Sequence, residues 1–277
     1  MRIVLLAGEG PEQTALCRKL AAQSDVIGVV RSRNVPRRPP RHRVKRLVNG
    51  LLGRVVGRPF LEAWWHLQKE YARLYPDLPP VPRIRVENVN DPETLKFLAD
   101  RNPDAVLVSG TNLVGRAIID WASSRRGILN LHTGLSPYVK GGPNCTNWCL
   151  AGGTFHLIGN TVMWLDIGID SGPILSTARP KLSGGESLTE VHWNVMEHAH
   201  CLCVNAILTL ASGRQVPRVP QGEIAPGRTY YSVEWNASTM LRAWWNFKRR
   251  YNPQLFESTE YLSHCAEVKL VPLGVSR

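Results

Sequence analysis

Two short segments decide the fold of this chain: GILNLHTGLSPYVKGG at residues 127–142 and LDIGIDSGPIL at residues 165–175. The apolar start of the first segment predicts a strand that ends in a Gly/Pro-rich loop. Because side chains alternate between the two faces of a strand, Asn130 and His132 project on the same side. Open α/β sheets place their sites at the carboxyl ends of strands, so this strand end is a candidate site.

The second segment places Asp170 in a tight Gly/Ser-rich turn between two apolar runs. An amide, an imidazole and a carboxylate together suit acyl transfer. The amide can donate to a developing oxyanion, the imidazole can move a proton, and the carboxylate can hold the imidazolium. Taken alone, an Asn-x-His pair is more often a polar strand end than a functional site. The prediction of a site therefore depends on the combination of this pair with the Gly/Pro loop and the Asp170 turn.

That combined pattern resembles the formyltransferases that take a formyl group from 10-formyltetrahydrofolate. The motifs that carry the resemblance are Asn-x-His at 130–132, Leu-x-Pro-x-x-x-Gly at 135–141 and Ile-Asp-x-Gly-Pro at 169–173. The resemblance covers roughly residues 1–212, apart from an insertion, and is most specific in the second half of that range.

The resemblance implies that Asn130, His132 and Asp170 are the catalytic trio. Many relatives carry a second histidine seven residues before the aspartate, where this chain has Met163. That departure weakens the case for a second histidine in the mechanism and leaves the trio intact.

The order of predicted strands and helices, together with the resemblance, indicates an α/β fold. We expect a Rossmann-like open, mostly parallel sheet, with a basic helical insertion and a small C-terminal extension. The predicted catalytic domain spans residues 1–213 and includes the insertion at 31–83, and the extension spans residues 214–277.

The resemblance also implies a folate site, with 10-formyltetrahydrofolate as the formyl donor. The loop after the buried strand that ends at Val108 matches, by its position, the family loop that grips the pterin ring. The residues expected to bind the cofactor are Ser109, Gly110, Thr111, Asn112, Leu113, Val114, Asp166 and Gly168.

A second group of glycines and a lysine is expected to bind the acceptor. A Gly-x-Gly turn before a helix can cradle a phosphate, although this instance lacks the third glycine of a dinucleotide fingerprint. The Gly-Gly loop after the catalytic strand would close over the site. The residues expected to bind the acceptor are Gly8, Gly10, Lys140, Gly141 and Gly142.

The chain of 277 residues is strongly basic, with a formal net charge of +12. Ten Lys or Arg and no acidic residue lie between Val26 and Leu61. This balance favours anionic partners. Two interpretations of the insertion stay open: a helical flap that packs over the site, which we favour, or peripheral contact of residues 31–58 with an acidic membrane surface.

Cysteine usage and hydropathy favour a cytoplasmic location, with peripheral contact at the inner face of the membrane as the alternative. No apolar run approaches the ~20 residues of a membrane span. The six cysteines show no disulfide framework for a chain of this length. The spacing of the Cys and His residues does not match a zinc site, and we expect no metal.

We favour a nucleotide-linked amino sugar as the acceptor, which would place the chain in lipopolysaccharide biosynthesis. Tyr230, Tyr231 and Trp235 are candidates for stacking on its base, with Arg228 nearby for phosphate. Initiator tRNA is less favoured as an acceptor, and no other nucleic acid is expected, because the tail of 64 residues does not show the five strands of a β-barrel.

Further alternatives are glycinamide ribonucleotide as the acceptor and a non-catalytic, membrane-associated relative. A purine-pathway enzyme acting on glycinamide ribonucleotide would lack both the insertion and the tail. The intact trio argues against a non-catalytic protein. A homodimer is left open.

Overall fold

The computed structural model describes residues 1–35, 55–142 and 144–274. Its strands, in chain order, are β1 Arg2–Gly8, β2 Asp25–Ser32, β3 Arg83–Val86, β4 Ala105–Ser109, β5 Ile128–His132, β6 Val139–Gly141, β7 Asn160–Trp164, β8 Ile174–Ala178 and β9 Arg228–Tyr230. Its helices are α1 Pro11–Ala21, α2 Arg58–Leu74, α3 Pro92–Arg101, α4 Arg116–Ser123, α5 Cys145–Gly152, α6 Leu188–Ala211, α7 Ala237–Arg250, α8 Pro253–Glu257 and α9 Thr259–Glu267.

Seven of the described strands form one open sheet in the order β3-β2-β1-β4-β5-β7-β8. The pairs from β3 to β5 are parallel, and β7 pairs antiparallel with both β5 and β8. Central strands such as β1 and β4 are buried along nearly their whole length, as expected when helices cover both faces of a parallel sheet. The predicted Rossmann-like, mostly parallel sheet is confirmed.

Two apolar cores flank this sheet. On one face, Leu16 and Leu20 of α1 and Ile207 of α6 pack against the strands. On the other face, Leu98 of α3 and Ile118 of α4 do so. The long helix α6 begins at a capping box in which Ser187 and Glu190 satisfy each other's backbone N–H groups. Ser-x-x-Glu before an apolar run is the sequence signature of this box, so the start of α6 follows from local sequence.

The predicted insertion is shorter at both ends than its proposed bounds of 31–83. Arg31 and Ser32 belong to β2, where they pair with Arg85 and Val86 of β3, and β3 itself begins at Arg83. Arg31 and Ser32, which composition alone assigned to a basic loop, therefore belong to the parallel pairing of β2 with β3. Residues 36–54, which hold most of the segment 31–58 considered for membrane contact, lie outside the described residues.

Helix α2 contains the described helical part of the insertion, and it packs against α1 and α6. Leu67 and Tyr71 are fully buried in that contact. The Tyr71 hydroxyl donates to a Glu197 carboxylate oxygen on α6 at 2.8 Å. A helix fixed in this way forms part of the wall of the domain.

The C-terminal residues pack on the catalytic domain at several points. Strand β9 pairs in parallel with β6, and α7 packs against α5. The side-chain amide of Asn246 donates to the carbonyls of Leu150 and Ala151 at the end of α5. Near the chain end, Thr177 in β8 and Val271 exchange two hydrogen bonds.

The sequence of residues 228–235 predicts a strand over the whole segment, and the structure forms a shorter one. Only Arg228–Tyr230 is extended, and Ser232–Glu234 forms a 3-10 turn. The Glu234 carboxylate accepts from the Tyr231 backbone N–H at 2.9 Å and so closes that turn. In residues 214–274 the chain forms one strand and three α-helices.

Among the described residues, no helix combines the length and apolar character needed to cross a bilayer.

Candidate active site

The end of β5 and the turn after β7 bring the two quoted segments together. The antiparallel pairing of these strands sets Asn130 opposite Met163 and leads the chain back towards the β5 end. The Asn130 side-chain amide donates to Asp170 Oδ1 at 3.2 Å. His132 Nδ1 lies 3.4 Å from Asp170 Oδ2. The three side chains predicted to be catalytic are therefore neighbours in space.

Both ring nitrogens of His132 face protein groups. Nδ1 faces Asp170, and Nε2 lies 3.4 Å from Cys145 Sγ. Burial opposes the charged imidazolium and by itself lowers the pKa of His132. The Asp170 carboxylate, the Cys145 sulfur and the Val139 carbonyl act in the other direction and raise that pKa to about 9. The imidazole is therefore protonated at neutral pH.

Asp170 is held in a left-handed backbone conformation with φ of 46°. Asp tolerates this region better than most residues, but it still needs support from its surroundings. The carboxylate accepts from the Gly141 backbone N–H at 3.0 Å. The buried Gln221 amide donates to the carbonyls of Asp170 and Gly172, at 2.7 and 2.9 Å. A residue of the predicted extension thus fixes the turn that holds the carboxylate.

The Gln221→Met substitution tests this support, because it keeps the volume of the side chain and removes its N–H donors. The carbonyls of Asp170 and Gly172 then lose this donor, and an unsatisfied buried group costs about 1–3 kcal/mol. We expect the free energy of unfolding in urea to fall by about that amount. The matched control is Gln23→Met, at an exposed position. Equal stability of the two variants would contradict the assigned role.

Gly141 connects the turn that holds Asp170 to the tail. Its φ is +89°, and a Cβ at this position would collide with the backbone of Tyr230 in the neighbouring β9. Glycine is therefore required for β6 and β9 to approach each other here. That approach places the Gly141 N–H on Asp170 and its carbonyl within 3.5 Å of Cys145 Sγ.

A cavity of about 570 Å³ opens beside the trio. Asn130, His132 and Asp170 all line it, which places the three groups at one wall. Other lining groups come from three helices: Glu12 and Gln13 of α1, Trp64 of α2 and Met196 of α6. Ser232, which follows β9, completes the lining on the side of the tail.

Most of the residues expected to bind cofactor or acceptor line this cavity. They are Ser109, Gly110, Thr111, Asn112, Leu113, Val114, Asp166, Gly168, Gly141 and Gly142. Val108 and Leu165 add apolar surface next to them. Their binding roles stay predictions, but their position around one cavity is a property of the structure.

Gly8, Gly10 and Lys140 were predicted with that group, and the structure does not bring them to this cavity. Gly8 packs so closely on the Gly110 carbonyl that a Cβ would overlap it. The Glu12 carboxylate folds over Gly10, and it takes the place that a bound anion would need at the start of α1. Lys140 lies in β6, paired with Thr229.

The tail aromatics proposed for base stacking are mostly used for packing. Tyr230 stacks on Trp148 with ring centroids 4.6 Å apart, and Trp235 meets the edges of Trp148 and Phe60. Arg228 lies over the Tyr230 ring, which fits cation–π packing. Tyr231 is the exposed member of the proposed set.

Four groups at or near the site were missed by sequence reasoning: Cys145, Gln221, Glu12 and Trp64. Cys145 follows the Gly-Gly loop by three residues, and that spacing was the available signal. Trp64 was visible as part of an apolar helix pattern, but its direction depends on how α2 packs. Nothing local in the sequence marks Gln221 or Glu12, because their partners are set by tertiary contacts.

No cluster of three or more His, Cys, Asp or Glu side chains suited to a metal ion occurs among residues 1–35, 55–142 and 144–274. The six cysteines are free thiols.

The fold carries an Asn-His-Asp cluster at the carboxyl end of β5, the arrangement that the sequence predicted for acyl transfer. The model of the formyl transferase family matches residues 1–207 of the chain. The chain belongs to the formyl transferase family.

Relatives found by sequence are named methionyl-tRNA formyltransferase. The one from Clostridium perfringens strain 13 is 27% identical over 178 residues, which are 62% of this chain and 56% of the relative. The one from Chloroflexus aggregans is 30% identical over 185 residues, which are 64% of this chain and 49% of the relative. The chain spans about half the length of the curated relatives it matches.

Solved structures show the same fold at low sequence identity. A sugar N-formyltransferase from a Shewanella species gives a TM-score of 0.56 at 12% identity, covering 88% of each chain. A 4-N formyltransferase from Francisella tularensis gives 0.53 at 13% identity, covering 87% of each chain. A phosphoribosylglycinamide formyltransferase from Anaplasma phagocytophilum gives 0.52 at 18% identity, covering 84% of this chain and 98% of its own.

Proposed function

We propose that this protein transfers the formyl group of 10-formyltetrahydrofolate to the amine of a nucleotide-linked amino sugar. The observation that carries formyl transfer is the assembly of Asn130, His132 and Asp170 at one wall of a cavity, in a chain of the formyl transferase family. The proposal for the acceptor rests on the further observations below.

In this mechanism the neutral amine of the acceptor attacks the formyl carbon, and the formyl oxygen becomes an oxyanion. The imidazolium of His132, protonated at neutral pH, stabilises that charge. Asn130 uses one amide hydrogen for Asp170 and has a second hydrogen for the oxyanion. The Asp170 carboxylate holds the positive charge on the ring while the proton moves between the amine and the leaving folate nitrogen.

The loop of residues 109–114 is our candidate for the pterin site. It borders the same cavity as the trio, and its backbone offers donors and acceptors next to the apolar side chains of Val108 and Val114. A volume of about 570 Å³ falls within the usual range for sites of this kind. Asp166 and Gly168 line the same cavity and would complete the donor site.

Three arginines support an acceptor that carries phosphate. Arg31 on β2 pairs directly with Arg85 on β3, and Arg83 lies two residues before Arg85 on the same face. The three line an open pocket of about 520 Å³ with Glu9 and Leu78. Glu9 neutralises one of the cations by pairing with Arg85, and the remaining charge suits an anion.

The position of this pocket fits a substrate that reaches along the sheet. Two strands, β1 and β4, separate β2 from β5, so Arg31 on β2 stands roughly 15 Å from the β5 end at about 4.8 Å per strand, and Arg83 and Arg85 on β3 stand one strand further away. Ligands of open α/β sheets bind along the carboxyl ends of the strands. An amine at His132 and a diphosphate near Arg31 would be joined by a sugar between them.

The insertion and the tail also favour a sugar over glycinamide ribonucleotide. Trp64 of the insertion and Ser232 of the tail both line the cavity, and Ser232 lies outside the residues that match the family model. Methionyl-tRNA is the main alternative, because relatives of 25–30% identity carry that name.

The deciding experiment is a formylation assay with 10-formyltetrahydrofolate and three kinds of acceptor, run side by side. These are a panel of nucleotide-linked amino sugars, glycinamide ribonucleotide and charged initiator tRNA. We expect turnover with a member of the first group. Turnover of the tRNA alone, with a steep loss of rate at raised salt, would contradict the proposed acceptor.

The double substitution Arg83→Gln and Arg85→Gln tests the phosphate site. Losing the Arg83 contact, worth about 1.5–3 kcal/mol, and leaving the Glu9 carboxylate without Arg85 should raise KM for the nucleotide sugar by at least about tenfold, with kcat little changed. The matched control is Arg73→Gln together with Arg18→Gln, two exposed arginines on α2 and α1. An equal KM in the two double variants would remove the arginine pocket from the proposal.

A further inference from the structure

Cys145 occupies a position at the site that neither the motifs nor the trio explains. It is the first residue of α5, whose N-cap Asn144 accepts from the Asn147 backbone N–H at 3.2 Å. The thiol is 2% exposed and lines the same cavity as the trio. Its Sγ lies 3.4 Å from His132 Nε2 and 3.5 Å from the Gly141 carbonyl, to which the S–H can donate.

The surroundings of His132 give this thiol a chemical consequence. Nδ1 is directed at Asp170, Nε2 faces Cys145, and the Val139 carbonyl also accepts from the ring. A carboxylate must stay charged to hold the imidazolium, and a carbonyl accepts a hydrogen bond but has no proton to pass on. The thiol both accepts and donates, so it can take a proton from Nε2 while giving its own.

We propose that Cys145 is a catalytic residue that relays the proton between His132 Nε2 and the folate nitrogen that leaves the formyl group. This inference rests on the formyl transfer proposed above. It adds a group between the imidazole and the reacting atoms.

The relay balances in atoms and charge. As the bond between the formyl carbon and the folate nitrogen breaks, the S–H proton of Cys145 moves to that nitrogen, and the Nε2–H proton moves to Sγ. Cys145 ends as the thiol that it was, and His132 becomes neutral. The proton lost by the attacking amine then restores the imidazolium, so no external acid or oxidant is needed.

The protonation states of the resting site agree with this order of events. Burial raises the pKa of the Cys145 thiol, and the nearby imidazolium only partly opposes that effect. The sulfur therefore carries its proton at neutral pH, beside a histidine that is also protonated. A buried neutral thiol suits a proton relay better than a nucleophile, because nucleophilic attack needs the thiolate.

The same helix offers a matched control. Cys149 lies one turn after Cys145, is equally buried, and packs in the apolar cluster of α5 and α7. It does not belong to the cavity lining. Cys145→Ala, Cys145→Ser and Cys149→Ala therefore separate the loss of a proton relay from the loss of a buried sulfur.

The experiment combines turnover, its pH profile and the NMR titration of His132 in the full chain. We expect Cys145→Ala to lower kcat by about 10²-fold, with KM for folate unchanged, since general acid catalysis contributes at least that much. Cys145→Ser should recover most of the loss, because a hydroxyl also accepts and donates. Cys149→Ala should keep the wild-type kcat. The His132 titration should move to lower pH in Cys145→Ala alone.

If the wild-type protein is active, two results would overturn the relay. One is a wild-type kcat in Cys145→Ala. The other is a reduced kcat with an unchanged pH profile and an unchanged His132 titration, which would mark a packing role. If the wild-type protein formylates none of the acceptors, the proposed function fails. The NMR titration still decides the thiol–imidazole contact in that case, and an unchanged His132 titration in Cys145→Ala would overturn the relay as well.

Discussion

The Asp170→Asn variant is expected to lose about 10³- to 10⁴-fold in kcat, as is typical when the carboxylate that orients a catalytic histidine becomes an amide. Asp170 Oδ2 lies 3.4 Å from His132 Nδ1, and its charge is the main effect that keeps the buried ring protonated. An asparagine of the same shape keeps the volume and removes the charge. The measurement is kcat with saturating folate and acceptor, paired with an NMR titration of His132.

The raised pKa of His132 fixes how the stability of the folded protein depends on pH. The folded-state pKa of His132 is about 9, above the ordinary value of 6.5, so the imidazolium contributes stability below about pH 6.5 that is lost as the pH rises through 9. In Asp170→Asn the opposing effect of burial remains, and the transition should move down by more than one pH unit or disappear. Asp100→Asn, at an exposed position on α3, is the control and should leave both readouts unchanged. Near-normal turnover of Asp170→Asn would refute the proposed mechanism.

The sheet was predictable because its strands carry a local signal. Apolar runs such as Ile3–Ala7 and Ala105–Val108 have the length and composition of strands buried on both faces, and the structure buries them so. The capping box at Ser187 was equally local. Strand β9 differs, because the sequence predicted a longer strand and only the three residues that pair with the distant β6 form one. Prediction from sequence is therefore least accurate for strands whose pairing partners are distant in the sequence.

The trio was predictable from motif resemblance, but its electrostatics were not. Asn130 and His132 share a strand, so their common direction follows from the period of two. The approach of Asp170 depends on the pairing of β5 with β7 and on Gln221, which lies 51 residues further along the chain. The contact of Cys145 with His132 depends on where α5 begins, and spacing alone does not fix that point.

The geometry of the turn predicted to cradle a phosphate has a similar cause. Gly8 and Gly10 form the expected turn before α1, yet the Glu12 side chain folds back over Gly10 and presents a carboxylate where an anion was expected. Burial raises the pKa of Glu12, with only partial compensation from hydrogen bonds and Arg31. The turn itself was predictable from local sequence. The rotamer of Glu12, which depends on tertiary contacts, places a carboxylate over that turn.

The second large effect is expected at Asn130. Its amide donates one hydrogen to Asp170 Oδ1 at 3.2 Å, and the side chain also lines the cavity, where its second hydrogen can meet the oxyanion. Removing one preorganised oxyanion donor costs about 10²–10³ in kcat, so we expect a loss of that size in Asn130→Ala. Folate KM should change little, because the contact forms mainly in the transition state.

Two further variants separate the two roles of this amide. Asn130→Asp puts a second carboxylate beside Asp170, so it should lower kcat at least as far as Asn130→Ala does and should raise the pKa of His132 further. Asn205→Ala, at an exposed position on α6, controls for the loss of an amide elsewhere on the surface. If Asn130→Ala kept the wild-type kcat while its His132 titration moved, the amide would serve only to position Asp170. The oxyanion would then rest on the imidazolium and on backbone donors, and the assignment of Asn130 as a catalytic residue would be wrong.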